Sequence, residues 1–197
     1  MKSILIVYAT REGHTKRIAE YLGEKIRSQD SQATVSDVRE LPKGFSLANY
    51  AAAVIAASVH RAHHEPEIIR FVKDHLADLN RMFTALVSVS LSQAGAQDEQ
   101  ASSDHRAQAA ADVKRMTDLF VSETHWHPTL IRPVAGALMY SKYNFLLRMI
   151  MKHIAYRAGA STDVSQDHVF THWRDLDDLA KTVMERLATN ADLNHEQ

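Results

Sequence analysis

Six consecutive residues, Thr10-Arg11-Glu12-Gly13-His14-Thr15, carry the chemistry of anion binding. They separate an apolar run from a helical pattern. The loop's backbone N–H groups therefore meet a helix N-terminus, where unpaired donors and the positive dipole end attract a phosphate. Thr10 and Thr15 add hydroxyls, and Gly13 permits close backbone approach. Two more loops follow apolar runs: Ser58-Val59-His60-Arg61-Ala62-His63-His64-Glu65 and Ser88-Val89-Ser90-Leu91-Ser92-Gln93. Loops at the carboxyl ends of strands in an open α/β sheet converge on one crevice, so these three are candidate walls of a single ligand site. His60 and His63 are the candidates for proton transfer, because imidazole titrates near neutral pH. His60, His63 and His64 also have metal-cluster spacing. No HExxH-type set accompanies them, and Glu65-Pro66 reads as the start of a helix, so no metal is expected. His125 and His127 flank Trp126 and read as edge or surface histidines.

A fourth segment, residues 141–157, reads as a helix of mixed character. Tyr143, Leu147, Ile150, Met151 and Ile154 form a stripe at i, i+4, i+7, i+8 and i+11. Lys142, Arg148, Lys152, His153 and Arg157 lie mainly on the other half, where Phe145, Leu146 and Met149 intrude. A basic helix with excess apolar surface suits a membrane surface or a ligand groove; core packing or a dimer contact is the alternative. From Pro128 to Thr162 there is no Asp or Glu, while the whole chain carries a net charge of −1. That asymmetry points to an anionic partner met on one side, with a solvated helix face as the plain alternative.

The 197 residues suit one domain with a real core. The absence of cysteine excludes disulfides, thiolate catalysis and Fe–S clusters, and it permits a cytoplasmic location. No stretch approaches the ~20 apolar residues of a spanning helix, so a soluble protein is expected, able to lie on a membrane. The first loop is neither GxGxxG nor GxxxxGK[ST], which argues against dinucleotide and ATP sites, and no GxSxG elbow marks a hydrolase. Nothing suggests a nucleic-acid partner.

Alternating elements must position these loops. Ser3–Ala9, Ala51–Ser58 and Phe83–Leu91 are continuous apolar runs of the kind buried on both faces of a parallel sheet. Ala33–Val38 reads as a strand nearer an edge, and Thr129–Leu138 as a fifth, bent by Pro133. Helices are expected over Lys16–Ser28, Pro66–Leu79 and Arg174–Ala188. Ser92–Asp104 reads as a long loop entering a helix that runs to about Ser122. Such alternation implies right-handed βαβ units and a mostly parallel sheet.

The first loop resembles the flavodoxin phosphate signature, with Thr10, Gly13 and Thr15 matching and Glu12 replacing the usual Thr. The resemblance extends over essentially the whole chain to the flavodoxin-type, menaquinone-dependent protoporphyrinogen IX oxidases. It rests on the Thr10–Thr15 loop, Ala56-Ala57-Ser58-Val59, Ser88–Leu91, Val134-Ala135-Gly136-Ala137-Leu138, Tyr140 to Tyr143, the basic Met/Ile-rich segment, Thr162-Asp163 and Thr171-His172-Trp173. It implies a three-layer α/β/α sandwich with a five-stranded parallel sheet in the order 2-1-3-4-5 and a helical insert at strand 5. It implies FMN held by Thr10, Arg11, Glu12, Gly13, His14 and Thr15, with its ring between Ser58, Val59, His60, Arg61 and Ser88, Val89, Ser90, Leu91. It further implies oxidation of protoporphyrinogen IX with menaquinone as acceptor, in the cytoplasm against the inner membrane. Arg148, Lys152, Lys142 and Tyr143 are the candidates for the substrate, with Arg11 and Arg61 behind them; self-association is left open. The ring loops carry no Trp, Tyr or Phe, unlike classical flavodoxins. Rival readings are an electron carrier of this fold, an NAD(P)H:quinone reductase, and a non-enzymatic heme-pathway scaffold that uses the fold without flavin.

Overall fold

A computed structural model of the protein describes residues 3–29, 31–142 and 163–193. Five parallel strands form its centre: β1 (Ser3–Ala9), β2 (Ala33–Asp37), β3 (Tyr50–His60), β5 (Phe83–Ser90) and β6 (Leu130–Ala135), in the spatial order β2-β1-β3-β5-β6. A two-residue strand, β4 (His63–His64), folds back antiparallel on the end of β3. It is an addition to the expected sheet. β6 is the edge strand, which is where Pro133, lacking an N–H, can be accommodated.

The strand alternation divides the core between two faces. Ile4, Ile6 and Tyr8 of β1 point to the side covered by α1 (His14–Arg27) and α6 (Trp173–Leu193), where Ile18, Leu22, Ile26, Leu176, Leu179 and Val183 are buried. Leu5, Val7 and Ala9 point to the side covered by α2 (Pro66–Asp74), α3 (Leu76–Leu79) and α5 (Ser103–Thr124), through Ile68, Phe71, Val72, Leu79 and Phe120. A fully buried Leu or Ile contributes about 1.5–3 kcal/mol, so each face is a substantial store of stability. Gly23 lets α1 approach β2: a Cβ there would stand 2.5 Å from Val35 Cγ2.

Several boundaries differ from the sequence reading. The stretch 92–104 is not one long loop. Its start is helix α4 (Leu91–Gln97), capped by Ser90, whose Oγ accepts from the Gln93 N–H; α5 begins at a second serine cap, Ser102. Serine caps outweigh the polar composition. The helix expected over 66–79 breaks at His75, whose ring stacks on Phe71 at 4.4 Å with Nδ1 2.9 Å from the Phe71 carbonyl. The strand expected over 129–138 is divided at Gly136. The Gly136 N–H donates to Ser90, and its carbonyl accepts from Phe170 N–H. Beyond it, β7 (Ala137–Leu138) pairs antiparallel with β8 (His168–Val169). The helix expected over 141–157 falls, from residue 143, outside the described residues; its first two positions close a 3-10 turn, Tyr140–Lys142.

Candidate functional site

Strands β1, β3 and β5 deliver their carboxyl ends to one crevice, because all three run parallel and neighbour one another. The β1–α1 loop begins it. Gly13 caps α1 with φ +91°, a left-handed conformation that favours glycine, and its N–H donates to Thr10 Oγ1 at 3.0 Å. A Cβ on Gly13 would meet nothing within 4 Å, so its φ, not crowding, calls for glycine. No side chain caps the helix and its first turn holds no acidic residue. The first-turn N–H groups and the dipole end are therefore available to an anion. Thr10, Arg11, Glu12 and Gly13 form the open rim of this loop; His14 and Thr15 are buried behind it.

His14 serves the frame. Its Nε2 lies 2.7 Å from Thr171 Oγ1, and the Thr171 hydroxyl donates to the Ala135 carbonyl at 2.6 Å. The hydroxyl proton is thus committed, which assigns the donor role to His14 Nε2–H. Nδ1 is left as a buried acceptor without a hydrogen-bond partner among the described residues. Burial, and secondarily the charge of Arg17, lowers the His14 pKa to about 4, so the ring is neutral.

The second wall is the β3–β4 hairpin. Its two-residue turn, Arg61-Ala62, has φ of +50° and +67°, and both residues are exposed. The hairpin turns the three histidines to different surroundings. His63 is exposed. His64 is buried, with Nε2 2.9 Å from Ser88 Oγ and its ring 4.7 Å from Phe120; burial lowers its pKa to about 4. His60 stays at the crevice. Among the described residues no group of three side chains has the arrangement of a metal site.

Glu65 organises this wall. Its carboxylate, 3% exposed, pairs with Arg11 at 2.6 Å, accepts from Ser58 Oγ at 2.8 Å and lies 3.3 Å from His60 Nε2. Glu12 approaches the same His60 nitrogen at 3.4 Å, and Glu67 takes a second contact with Arg11 at 3.4 Å. The Glu12 carboxylate, more than any other group, raises the His60 pKa. Sequence reasoning missed Glu65, which reads as a mere helix start before Pro66. The available signal was chemical: Arg11 and His60 at one crevice call for a counter-charge.

On the third wall, Ser88 is buried and bonded to His64, Val89 is in the core, Ser90 caps α4, and Leu91 is partly exposed at the start of that helix. Of the candidates in the insert, Lys142 is exposed; Tyr143, Arg148 and Lys152 lie outside the described residues. The insert's base is fastened where Ser141 donates to the Asp167 carboxylate through N–H (2.8 Å) and Oγ (2.7 Å). Phe170 N–H and Thr171 then tie the returning chain to Gly136 and to His14.

The flavodoxin domain family model matches residues 5–165. The chain is 30% identical over 179 residues to the protoporphyrinogen IX dehydrogenase (quinone) of Escherichia coli strain K12, covering 91% of this chain and 93% of that protein. It is 29% identical over 170 residues to the protein of that name from Leishmania major, covering 86% of this chain and 69% of that one. Among solved structures, oxidised flavodoxin 1 from Bacillus cereus aligns over 68% of this chain and 84% of its own, with 15% identity and a TM-score of 0.44.

Proposed function

Since the chain belongs to the flavodoxin domain family, and within it to the quinone-type protoporphyrinogen IX dehydrogenases, we propose that it is an FMN-dependent oxidoreductase. In this reading it converts protoporphyrinogen IX to protoporphyrin IX in heme biosynthesis and passes the electrons to menaquinone. The observation that supports it best is the crevice: an uncapped helix N-terminus, free of acidic side chains in its first turn, stands beside a hairpin that carries a titratable histidine.

The residues present fit FMN. The first-turn N–H groups of α1 and Thr10, with Thr15 behind them, would hold the phosphate, and the Ser58–Arg61 and Ser88–Leu91 loops would hold the ring. FMN, when bound, supplies two-electron redox chemistry; the protein supplies position and electrostatics. Arg11, committed to Glu65 and Glu67, holds the hairpin instead of an anionic substrate. The substrate's propionates then fall to Lys142, Tyr143, Arg148 and Lys152, and to exposed Arg61. No helix among the described residues is long and apolar enough to cross a membrane. The basic, apolar 141–157 segment accordingly brings the protein to the cytoplasmic surface of the inner membrane, where a lipid-borne quinone is met.

The test is single-turnover. Protoporphyrinogen added anaerobically to FMN-loaded protein is expected to bleach the oxidised flavin absorbance as porphyrin fluorescence rises. A flavin that stays oxidised under substrate, yet is reduced by NAD(P)H, contradicts the proposal and favours a reductase.

A further inference from the structure

His60 Nε2 lies between two carboxylates that come from different parts of the chain. Glu12, 23% exposed, arrives from the β1–α1 loop at 3.4 Å; Glu65, 3% exposed, arrives from the start of α2 at 3.3 Å. The atom itself is buried, while the His60 side chain as a whole is 40% exposed at the crevice. Glu65 cannot swing away, because Arg11 and Ser58 hold its two oxygens. The charged groups facing the ring are Glu12, Glu65 and Arg11. Glu67 stands behind Arg11, and Arg61 and His63 are exposed on the same hairpin. Carboxylates outnumber the arginine, so the cluster favours a proton on the imidazole.

The arrangement also selects a tautomer. Neither carboxylate meets hydrogen-bond geometry at Nε2, but two negative charges within 3.4 Å of it keep the hydrogen on that nitrogen when the ring is neutral, which leaves the basic lone pair on Nδ1. We propose that His60 is the general base of the reaction, accepting a proton at Nδ1, and that Glu12 and Glu65 are its positioning residues. This inference rests on the porphyrinogen reading above. Over the three two-electron oxidations the macrocycle loses four bridging-carbon hydrogens and two pyrrole N–H hydrogens. Three bridging C–H bonds give up hydrogen and electron pair together, as hydride equivalents that a bound flavin would accept. The other three hydrogens leave as protons, two from pyrrole N–H bonds and one from the fourth bridging carbon; each electron pair stays in the macrocycle, extending the conjugation, and each proton passes to His60. His60 then returns the proton to solvent, helped by partly exposed Glu12. A base whose pKa lies near the working pH suits this task.

The experiment compares FMN-loaded wild-type, His60→Gln and Glu12→Gln proteins. The histidine pKa is read by NMR, and flavin bleaching by protoporphyrinogen is followed across pH. Wild type is expected to show a His60 pKa above the ordinary 6.5 and an acid limb in the bleaching rate at that pKa. Glu12→Gln, a milder change at a more exposed site, is expected to move both downward together. His60→Gln is expected to keep FMN bound, lose roughly 10²–10⁴-fold in bleaching rate and lose the acid limb. A His60 pKa at or below 6.5, or a His60→Gln rate and pH profile equal to wild type, overturns the inference while leaving the function standing. Failure of wild type itself to bleach overturns the functional reading and this inference with it.

Discussion

The His14 imidazole and the Thr171 hydroxyl, 2.7 Å apart, join the β1–α1 loop to the chain that returns from the insert. Thr171 passes the link on to the Ala135 carbonyl at the end of β6. One chain of hydrogen bonds therefore connects the first helix of the domain with the edge of its sheet. It does so beneath the loop proposed to hold the FMN phosphate.

Replacing Thr171 with Val removes both bonds and strands the Ala135 carbonyl and His14 Nε2 in a buried place. The expected loss is about 1–3 kcal/mol, seen as a lower urea midpoint at unchanged m-value. FMN affinity should fall with it, because His14 follows the capping Gly13 directly. An unchanged midpoint would show that the link carries no stability.

The two buried histidines make acid stability predictable in sign. His14 and His64 have folded pKa values of about 4, below the ordinary 6.5 of the unfolded chain. Between those limits the unfolded state binds more protons, so stability falls as pH drops from about 6.5 to about 4. Each residue contributes on the order of 3 kcal/mol over that window. His60 has the opposite sign: its pKa is raised, so its contribution is present below 6.5 and is lost as pH rises through the folded value. Denaturation midpoints measured from pH 4 to 8 check this, and a His64→Gln variant should flatten the acid decline.

The hairpin turn at Arg61-Ala62 stores strain. Two-residue hairpin turns with positive φ are ordinarily Asn-Gly or Asp-Gly, and a non-glycine residue in the left-handed region costs about 1–2 kcal/mol. Ala62→Gly is expected to raise stability by up to ~1 kcal/mol, part of the strain relief being offset by glycine's greater unfolded-state entropy. Thermal or urea unfolding measures it. A destabilised variant would mean that the Ala62 methyl makes a contact worth more than the strain.

Replacing residues 143–162 with a short Gly/Ser linker should leave the domain folded and able to bind FMN. Ser141 and Asp167 hold the two ends of the excised segment together, so a short linker can close the gap. Porphyrinogen oxidation should be lost. A narrower change, Arg148→Ala with Lys152→Ala, is expected to raise KM for the porphyrinogen with little effect on FMN affinity. Oxidation that survives the excision would remove the insert from the site.

Much of this architecture is legible in the residue order, and the exceptions have physical causes. The β1 run, the Gly13 loop and the α1 stripe announce themselves locally, because each is a short-range pattern of apolar spacing and helix-terminus chemistry. Helix α4 does not, since Ser92, Gln93 and Gln97 give it no apolar stripe, and only the Ser90 cap declares it. The turn at Arg61-Ala62 is equally hidden, because it lacks the Gly or Asn that usually signals positive φ. Glu65 is the instructive case. Its neighbours in sequence make it a helix start, while Ser58 and His60 reach it across the β3–β4 hairpin and Arg11 comes from the β1–α1 loop, which the parallel sheet sets alongside. Ion pairs of that kind follow from topology, which local pattern does not report.

The most direct test of the central claim is multiple-turnover oxidation of protoporphyrinogen by the FMN-loaded protein, under strict anaerobiosis, with menaquinone as the only electron acceptor and porphyrin fluorescence as the signal. The account predicts fluorescence that grows in proportion to the quinone supplied, well above a protein-free control. Fluorescence no greater than that control, from protein that demonstrably holds FMN, would contradict it.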